Sequence, residues 1–264
     1  MMIAKDSTSG LLASGRGIFG RIADDGWVFV AVAGGLTILL SLIYLPLGTF
    51  ALGITLWFAH IMRLPHRQHP NNEHAIIAPA DGVVIDISEA DYPSASMPQD
   101  DLSATASSGL RLTIRTSLAD MQWQCNPVTG RVVDNLLIPG QCKHLGGTDC
   151  FSHKPAFDKD VLAAIRAGNE RREVRFLSKT NAQVTLVQLA TASARHLVCR
   201  LPEGKHVEAG GSFGMSRVAG LIDLFVPSDH AATITIGQHC VAGETIIALP
   251  ASKARAKTAT KADV

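Results

Sequence analysis

The sequence predicts a mainly β (α+β) fold in which an apolar helical hairpin precedes one β-rich domain. The hairpin is indicated by residues 27–62, which contain no Asp, Glu, Lys or Arg and form a run longer than one bilayer crossing requires. The domain is indicated by the sequence after Pro65, where short β-branched runs alternate with Gly, Pro and Asp. Within that domain, Asp158–Ala167 has the pattern of a short helix that ends at Gly168.

The hairpin is expected to consist of two helices, because Pro46 and Gly48 near the middle of the run favour a break. The first helix is predicted at about Trp27–Leu45 and the second at about Thr49–Met62. Aromatic residues near the helix ends, with arginines on both flanks of the run, are typical of a membrane segment whose two ends face the cytoplasm. Both a transmembrane and a re-entrant hairpin fit this pattern. The competing interpretations are a signal peptide and a helical pair buried inside a soluble protein.

The β-rich domain is predicted from β-branched runs bounded by turn residues. The expected strands are Ala75–Ile77, Gly82–Ile87, Arg111–Arg115, Gly130–Leu137, Glu173–Leu177, Gln183–Leu189, Leu221–Val226, Ala232–Ile236 and Thr245–Leu249. Residues 94–108 are rich in Ser, Ala, Asp and Pro, and are expected to form a loop or a partly disordered insertion. The chain is thus divided into an N-terminal cytoplasmic segment (1–26), the hairpin (27–62), the domain (63–250) and a disordered basic tail (251–264).

Composition narrows the range of partners. The 24 Lys and Arg residues nearly balance the 23 Asp and Glu residues, so no strong positive field would attract nucleic acid and none is expected as a partner. The five cysteines are odd in number and form no CxxC pair, which argues against a disulfide framework and fits a reducing cytoplasm. Cys142, His144, Cys150 and His153 match no standard zinc spacing, so no metal site is predicted.

Motifs in several parts of the chain, taken in order, match one family. Residues 62–67 (Met-Arg-Leu-Pro-His-Arg) stand where that family has Phe-Arg-Asp-Pro-x-Arg, and residues 78–84 (Ala-Pro-Ala-Asp-Gly-Val-Val) are close to its Ser-Pro-Ala-Asp-Gly-x-Val. Residues 169–171 match its Asn-Glu-Arg, residues 209–227 match its cleavage segment without a gap, and residues 237–245 complete the pattern. Over nearly its whole length the chain therefore resembles the short bacterial type of phosphatidylserine decarboxylase.

This resemblance implies phospholipid metabolism, with phosphatidylethanolamine formed from phosphatidylserine. In the family, a Ser that follows a Gly attacks the preceding carbonyl, the resulting ester breaks, and the Ser becomes a covalent pyruvoyl cofactor that serves as the electron sink. An Asp and a His assist by moving protons. Asp81 matches the family's Asp, although an Asp-Gly pair at the start of a strand also has a simpler interpretation as a turn.

Two of the family's catalytic positions are occupied by other residues. The family's Cys-His-x-Asn-Arg-x-Pro falls on residues 121–127, where the His position is Gln122 and a carboxamide cannot titrate near neutrality as imidazole does. The family's Gly-Ser cleavage pair falls on Ala219 and Gly220. Glycine has no hydroxyl with which to attack, so the resemblance implies that no pyruvoyl cofactor forms at Gly220.

Ser216 is the alternative nucleophile. Residues 213–218 resemble Phe-Gly-Ser-Arg-Val with Met215 inserted, and cleavage before Ser216 would yield a pyruvoyl group four residues upstream. The shift would move the nucleophile by roughly a dozen Å along a strand, whereas catalytic positioning tolerates only small errors. The simpler interpretation of Ser216 is a serine in a loop.

The leading hypothesis is a membrane pseudoenzyme of this family, on the cytoplasmic side of the bacterial inner membrane. It would bind anionic phospholipid, form a homo-oligomer or partner an active decarboxylase, and Arg195 and His196 are candidates for contact with the lipid headgroup. The rival hypothesis is an active decarboxylase that uses Ser216. A lipoyl or biotinyl carrier is a third possibility, suggested by residues 78–83 and 241–244, but the chain has no Met-Lys-Met to modify.

Overall fold

The computed structural model describes residues 21–22, 26–64, 67–93, 108–143, 158–192, 197–216 and 220–252. The chain divides into two compact units, with the boundary between residues 66 and 67. The helices are α1 (Trp27–Ile43), α2 (Leu45–Ile61) and α3 (Lys159–Gly168). The strands are β1 (Arg21–Ile22), β2 (Arg63–Leu64), β3 (Ile76–Ile77), β4 (Gly82–Asp91), β5 (Ser108–Thr116), β6 (Trp123–Cys125), β7 (Gly130–Ile138), β8 (Arg171–Ser178), β9 (Gln183–Leu189), β10 (Leu197–Cys199), β11 (His206–Val207), β12 (Ser212–Ser216), β13 (Gly220–Pro227), β14 (His230–Ala232), β15 (His239–Cys240) and β16 (Ile246–Pro250). The expectation of a mainly β protein is confirmed.

The first unit contains α1 and α2, which are separated by Tyr44 in an extended conformation. Pro46 lies in the first turn of α2, where its missing amide hydrogen leaves no hydrogen bond unmade. The prediction of a break at Pro46 and Gly48 is therefore wrong by a few residues. The two helices pack against each other, with 2.8 Å between the hydroxyl oxygens of Thr37 and Thr55.

Most apolar side chains of these two helices are exposed in the first unit, as in Val32 at 67% and Leu42 at 81%. A helix that is apolar on all sides would normally be covered by protein or lipid. Among the described residues, neither helix reaches the length and hydropathy needed to cross a membrane.

The second unit is built on an eight-stranded antiparallel sheet with the strand order β11-β7-β8-β9-β13-β5-β4-β15. β13 lies near its centre, between β9 and β5, and every residue from Gly220 to Val226 is buried. Such a continuously buried strand is expected where both faces of a sheet are covered. Irregular register in β4 and β7 marks bulges, which increase the twist of a sheet.

Each face of this sheet has its own core. Ile222 and Leu224 point into the larger core, which the small sheets β10-β12-β6 and β14-β16-β3 help to cover. On the opposite face, α3 packs Leu162 and Ile165 into a second cluster. α3 begins at Asp158, whose side chain accepts a hydrogen bond from the amide of Asp160 at 3.0 Å, as preferred N-cap residues do.

The longer predicted strands are present, but the short ones were predicted less well. The strand expected at Ala232–Ile236 is wrong, because β14 ends at Ala232 and the chain then turns, with Gly237 at a φ of 86°. Several strands of two to five residues were not predicted: β6, β10, β11, β12 and β15. The predicted loop at 94–107 and the tail from residue 253 lie outside the described residues.

Candidate functional site

Asp81 lies immediately before β4, at the end of the sheet where the start of β4 packs closely against Arg115 of β5. A Cβ atom on the next residue, Gly82, would fall 2.2 Å from the carbonyl oxygen of Arg115, closer than any side chain allows. Glycine is therefore required for this approach. The Asp-Gly pair thus allows the close approach at Gly82, and it places the buried side chain of Asp81 beside the start of β4.

The carboxylate of Asp81 forms a bidentate ion pair with Arg67. Arg67 donates from Nη1 to Oδ1 at 2.5 Å and from Nη2 to Oδ2 at 2.7 Å, and the amide of Ala242 also donates to Oδ1 at 2.7 Å. Burial alone would lower the pKa of the Arg67 guanidinium, but the hydrogen bonds and charge of Asp81 outweigh it, so the pKa is raised. The guanidinium also lies 5.2 Å from the ring centre of Trp123, within the range of a cation–π contact.

Gly220 is brought to the same end of the sheet as Asp81. It is the first residue of β13 and lies opposite Thr116 of β5. The hydroxyl of Thr116 donates to the backbone oxygen of Asp81 at 2.9 Å, so one residue links the two positions. Ala219, the other predicted member of the cleavage pair, lies outside the described residues.

Gln122 is buried in the loop that follows β5. Its side-chain amide donates to the carbonyl oxygens of Ser117 and Asp120 at 2.9 and 2.7 Å, and its backbone oxygen accepts from the amide of Ser216 at 3.2 Å. Gln122 thus braces the loop against the end of β12. A carboxamide in this position holds structure but cannot exchange a proton near neutral pH.

Ser216 is the last residue of β12, paired with Leu197 of β10, so its interpretation as a loop residue is wrong. It is 2% exposed, and its hydroxyl accepts a hydrogen bond from Nε2 of Gln124 at 2.8 Å. Gln188 in turn donates to the side-chain oxygen of Gln124. Ser216 therefore belongs to a buried carboxamide network, in which a base that could accept its proton is not among the hydrogen-bond partners described.

Sequence reasoning missed several polar residues near this site. His239 lies with Nε2 3.3 Å from Oδ1 of Asp120, and Asp120 also accepts from the amide of Ser117 at 2.8 Å. The two residues are 119 positions apart, so no spacing could have indicated the pair. Burial raises the pKa of the neighbouring Cys240 thiol to about 12, and the charges of Asp81 and Asp120 act in the same direction.

Arg67 was present in the motif at residues 62–67, and this match is the signal that could have marked it as a site residue. The predicted headgroup residues Arg195 and His196 lie outside the described residues. The structure therefore brings Asp81 and Gly220 together, with Gln122 and Ser216 joined beside the same strand ends.

Comparison with known proteins gives a consistent result. The family model for phosphatidylserine decarboxylase matches residues 54–248. The chain belongs to the phosphatidylserine decarboxylase family. Among curated relatives, the phosphatidylserine decarboxylase proenzyme of Beijerinckia indica is 31% identical over 86% of this chain and 88% of its own length. The proenzyme of Paramagnetospirillum magneticum is 30% identical over 85% of both chains, and that of Cereibacter sphaeroides is 30% identical over 90% of this chain and 94% of its own.

A pyruvoyl group of the kind that the phosphatidylserine decarboxylase family makes from Ser does not fit position 220 of this chain. Its methyl carbon derives from the Cβ of the Ser, and the ester step requires the hydroxyl of that Ser; Gly220 has neither. The surroundings of Gly220 are nevertheless those of an ordered strand end, opposite Thr116 and next to Asp81. The departure at this position therefore lies in the chemistry of the side chain, at a strand end that is itself ordered.

Proposed function

We propose that this chain is a phosphatidylserine decarboxylase homologue that does not cleave itself and that acts in phospholipid metabolism by binding anionic phospholipid. The observation that carries the proposal is Gly220, which starts β13 opposite Thr116 without a side-chain oxygen. The family's self-cleavage requires a hydroxyl nucleophile next to the scissile carbonyl. With no such group at this position, the chain remains a single polypeptide.

The surroundings of Asp81 and Gln122 support the same proposal. Both oxygens of the Asp81 carboxylate accept hydrogen bonds from Arg67, which holds the group in a fixed position. Gln122 uses its amide to hold the carbonyl oxygens of its own loop. Nucleophile, proton acceptor and orienting group normally act as one unit, and here each of the three positions has a structural role.

The rival proposal, self-cleavage at Ser216, needs a base that removes the proton of its hydroxyl. The hydrogen bond from Gln124 occupies an acceptor site of this oxygen and supplies no base. Ser216 is also paired within a sheet, opposite Leu197, so that attack on the preceding carbonyl would require the strand pair to open. These contacts favour the proposal without cleavage.

We further propose that α1 and α2 attach the chain to the cytoplasmic face of the bacterial inner membrane. The exposed apolar side chains on these helices, such as Leu42 and Phe50, form the kind of continuous surface that lipid covers. Attachment would present the β-rich unit to phospholipid headgroups, including any contact made by Arg195 and His196. A homo-oligomer or a complex with an active decarboxylase is compatible with this arrangement.

Intact-protein mass spectrometry and denaturing gels test the proposal directly. We expect one chain with the full sequence mass, both for the wild-type protein and for Ser216→Ala. A decarboxylase proenzyme of the family, expressed in parallel, serves as the positive control for processing. Two fragments from the wild-type chain, with an N-terminally blocked smaller fragment that is absent from Ser216→Ala, would establish the rival.

Vesicle flotation tests the attachment. We expect the wild-type chain to float with vesicles and Leu42→Glu to float markedly less, because a charge within an apolar membrane-contacting surface is costly. Leu137→Glu is the matched control, since Leu137 is an exposed leucine on β7 in the second unit. Equal flotation of all three proteins would contradict attachment through the helices.

A further inference from the structure

A cavity of about 200 Å³ lies on the face of the large sheet that carries α3. Its apolar lining includes Val187, Leu189 and Phe225, which come from the neighbouring strands β9 and β13. Three arginines, Arg111, Arg166 and Arg171, also line it, together with the carboxylates of Asp91, Glu173 and Asp223. On β13 this face is opposite to that of Ile222 and Leu224.

Arg166 is held by its neighbours through Nε and Nη2. It donates from Nε to Asp223 at 2.8 Å and from Nη2 to Asp86 at 3.1 Å and to the hydroxyl of Thr113 at 2.6 Å. Burial alone would lower the pKa of the Arg166 guanidinium, but the hydrogen bonds and charges of Asp223 and then Asp86 outweigh it, and the pKa is raised. The charge of Arg166 is thus balanced inside the protein.

The charge of Arg111 is not balanced in the same way. It donates from Nη2 to Ser88 at 2.9 Å and lies 3.6 Å from Asp86, a carboxylate already bound by Arg166. Its Nε is buried and has no hydrogen-bond partner among the described residues. Burial and the positive charge of Arg166 lower its pKa despite Asp223 and Asp86. A buried donor without an acceptor costs free energy, so the contacts of Arg111 within the described residues leave its guanidinium incompletely satisfied.

Arg171 is the second arginine whose guanidinium has donors without a strong hydrogen bond among the described residues. It donates from Nε to Glu173 at 2.9 Å, and its Nη1 makes only a long contact of 3.5 Å with the carbonyl oxygen of Arg166. Its side chain is 27% exposed, so it lies where the cavity opens to solvent. Arg111 and Arg171 therefore line one cavity above an apolar floor, and each has guanidinium donors with no hydrogen-bond partner in the described part of the chain.

We propose that this cavity binds a small phosphate ester, with its phosphate bound by Arg111 and Arg171 and its carbon chain lying over Val187, Leu189 and Phe225. A phosphate offers three acceptor oxygens, enough for two guanidinium forks, whereas a carboxylate offers two. The planar fork of Arg suits this geometry. The volume is below that of pockets for drug-sized ligands and suits a group the size of glycerol phosphate. The ester is either a free metabolite or the headgroup of a phospholipid, and the inference does not rest on the absence of self-cleavage.

Calorimetric titration of the full chain in uncharged maltoside detergent tests this site with sn-glycerol 3-phosphate, inorganic phosphate and glycerol as probes. We expect sn-glycerol 3-phosphate to bind more tightly than inorganic phosphate, and glycerol not to bind. Arg111→Gln and Arg171→Gln should each weaken binding by about tenfold or more, since each removes a charge-assisted hydrogen bond. Arg111→Lys should bind with intermediate strength. Arg131→Gln, at an exposed arginine of β7, should bind like the wild-type chain.

Vesicles of phosphatidylcholine with and without phosphatidic acid distinguish the two sources of the ester. Binding of the soluble ester that depends on Arg111 supports a metabolite site, and vesicle binding that depends on Arg111 only when phosphatidic acid is present supports a headgroup site. Thermal unfolding of each variant confirms that it is folded. The proposal is overturned if neither sn-glycerol 3-phosphate nor inorganic phosphate binds, or if Arg111→Gln and Arg171→Gln bind as tightly as Arg131→Gln. This outcome does not depend on whether mass spectrometry finds one chain or two fragments.

Discussion

Arg67 and Asp81 form a two-pronged ion pair across 14 positions of sequence, with donor–acceptor distances of 2.5 and 2.7 Å. Both side chains are only 9% exposed. The pair joins the first residue of the β-rich unit to the start of β4, and through the amide of Ala242 to the turn before β16. Its geometry fixes the position of the Asp81 carboxylate at the start of β4.

We predict that Arg67→Ala lowers the free energy of unfolding by about 3 kcal/mol, because it leaves a buried carboxylate without its partner. Arg67→Lys should recover only part of this loss, since an ammonium group cannot form the bidentate contact. Urea unfolding measures both, with Arg131→Ala at an exposed arginine as the control. Equal stability of Arg67→Ala and this control would show that the pair contributes nothing.

A second prediction concerns two buried threonines. Thr113 donates to Asp223 at 2.6 Å and accepts from Arg166 at 2.6 Å, whereas the hydroxyl of Thr185 has no partner among the described residues. Thr113→Val should therefore cost about 1–3 kcal/mol, the cost of leaving charged groups without a hydrogen bond. Thr185→Val makes the same change of a hydroxyl to a methyl group, and it should leave the free energy of unfolding unchanged or raise it. Thermal and urea unfolding measure the stability of both variants. Equal losses of stability would refute the prediction that only the hydroxyl of Thr113 is stabilising.

A third prediction tests the close approach of β4 and β5. Gly82→Ala would place a methyl group 2.2 Å from the carbonyl oxygen of Arg115, so the backbone must move and we expect a loss of about 3 kcal/mol or more. Gly168→Ala is the control, because its Cβ would meet only the Lys143 side chain, at an ordinary 3.6 Å. Gly168 ends α3, and we expect its change to shift stability by about 1 kcal/mol or less. Similar stability of the two variants would contradict the structure at Gly82.

A fourth prediction follows from the pKa of Cys240, which burial raises to about 12, with Asp81 and Asp120 contributing in the same direction. Between about pH 9 and pH 12 the unfolded chain loses the thiol proton while the folded chain keeps it, so stability falls as pH rises through this window. The slope from this group approaches about 1.4 kcal/mol per pH unit. Cys240→Ala should show a shallower decline in urea unfolding across the same window. An identical slope would mean that Cys240 titrates normally in the folded protein.

The same burial predicts slow alkylation of Cys240 in the native protein near pH 8. The thiolate is the reactive form, and a raised pKa keeps it scarce. Cys142 is partly exposed and should react with iodoacetamide before Cys240 does. Peptide mass spectrometry follows the modification of both residues. If Cys240 is modified as fast as Cys142, the burial of Cys240 is contradicted.

Sequence alone determined the family, the mainly β character and the positions of the long strands, because these depend on local patterns. Motif order identified the family, and the periodicity of β4, β5 and β13 is visible in their own residues. Strands as short as β11 and β15 could not be predicted, since two residues carry no periodicity and exist as strands only because a neighbour pairs with them. The segment expected to continue as a strand after Ala232 turns instead, at a place where contact with β16 decides the course of the chain.

At the candidate site, the sequence identified the missing hydroxyl of Gly220 and the carboxylate of Asp81. Only the tertiary structure assigned Arg67 to Asp81, placed Ser216 among buried carboxamides and set His239 beside Asp120. The physical reason is that side-chain pairing depends on which strand ends meet in space. That meeting is fixed by the packing of the whole sheet, which no short stretch of sequence contains.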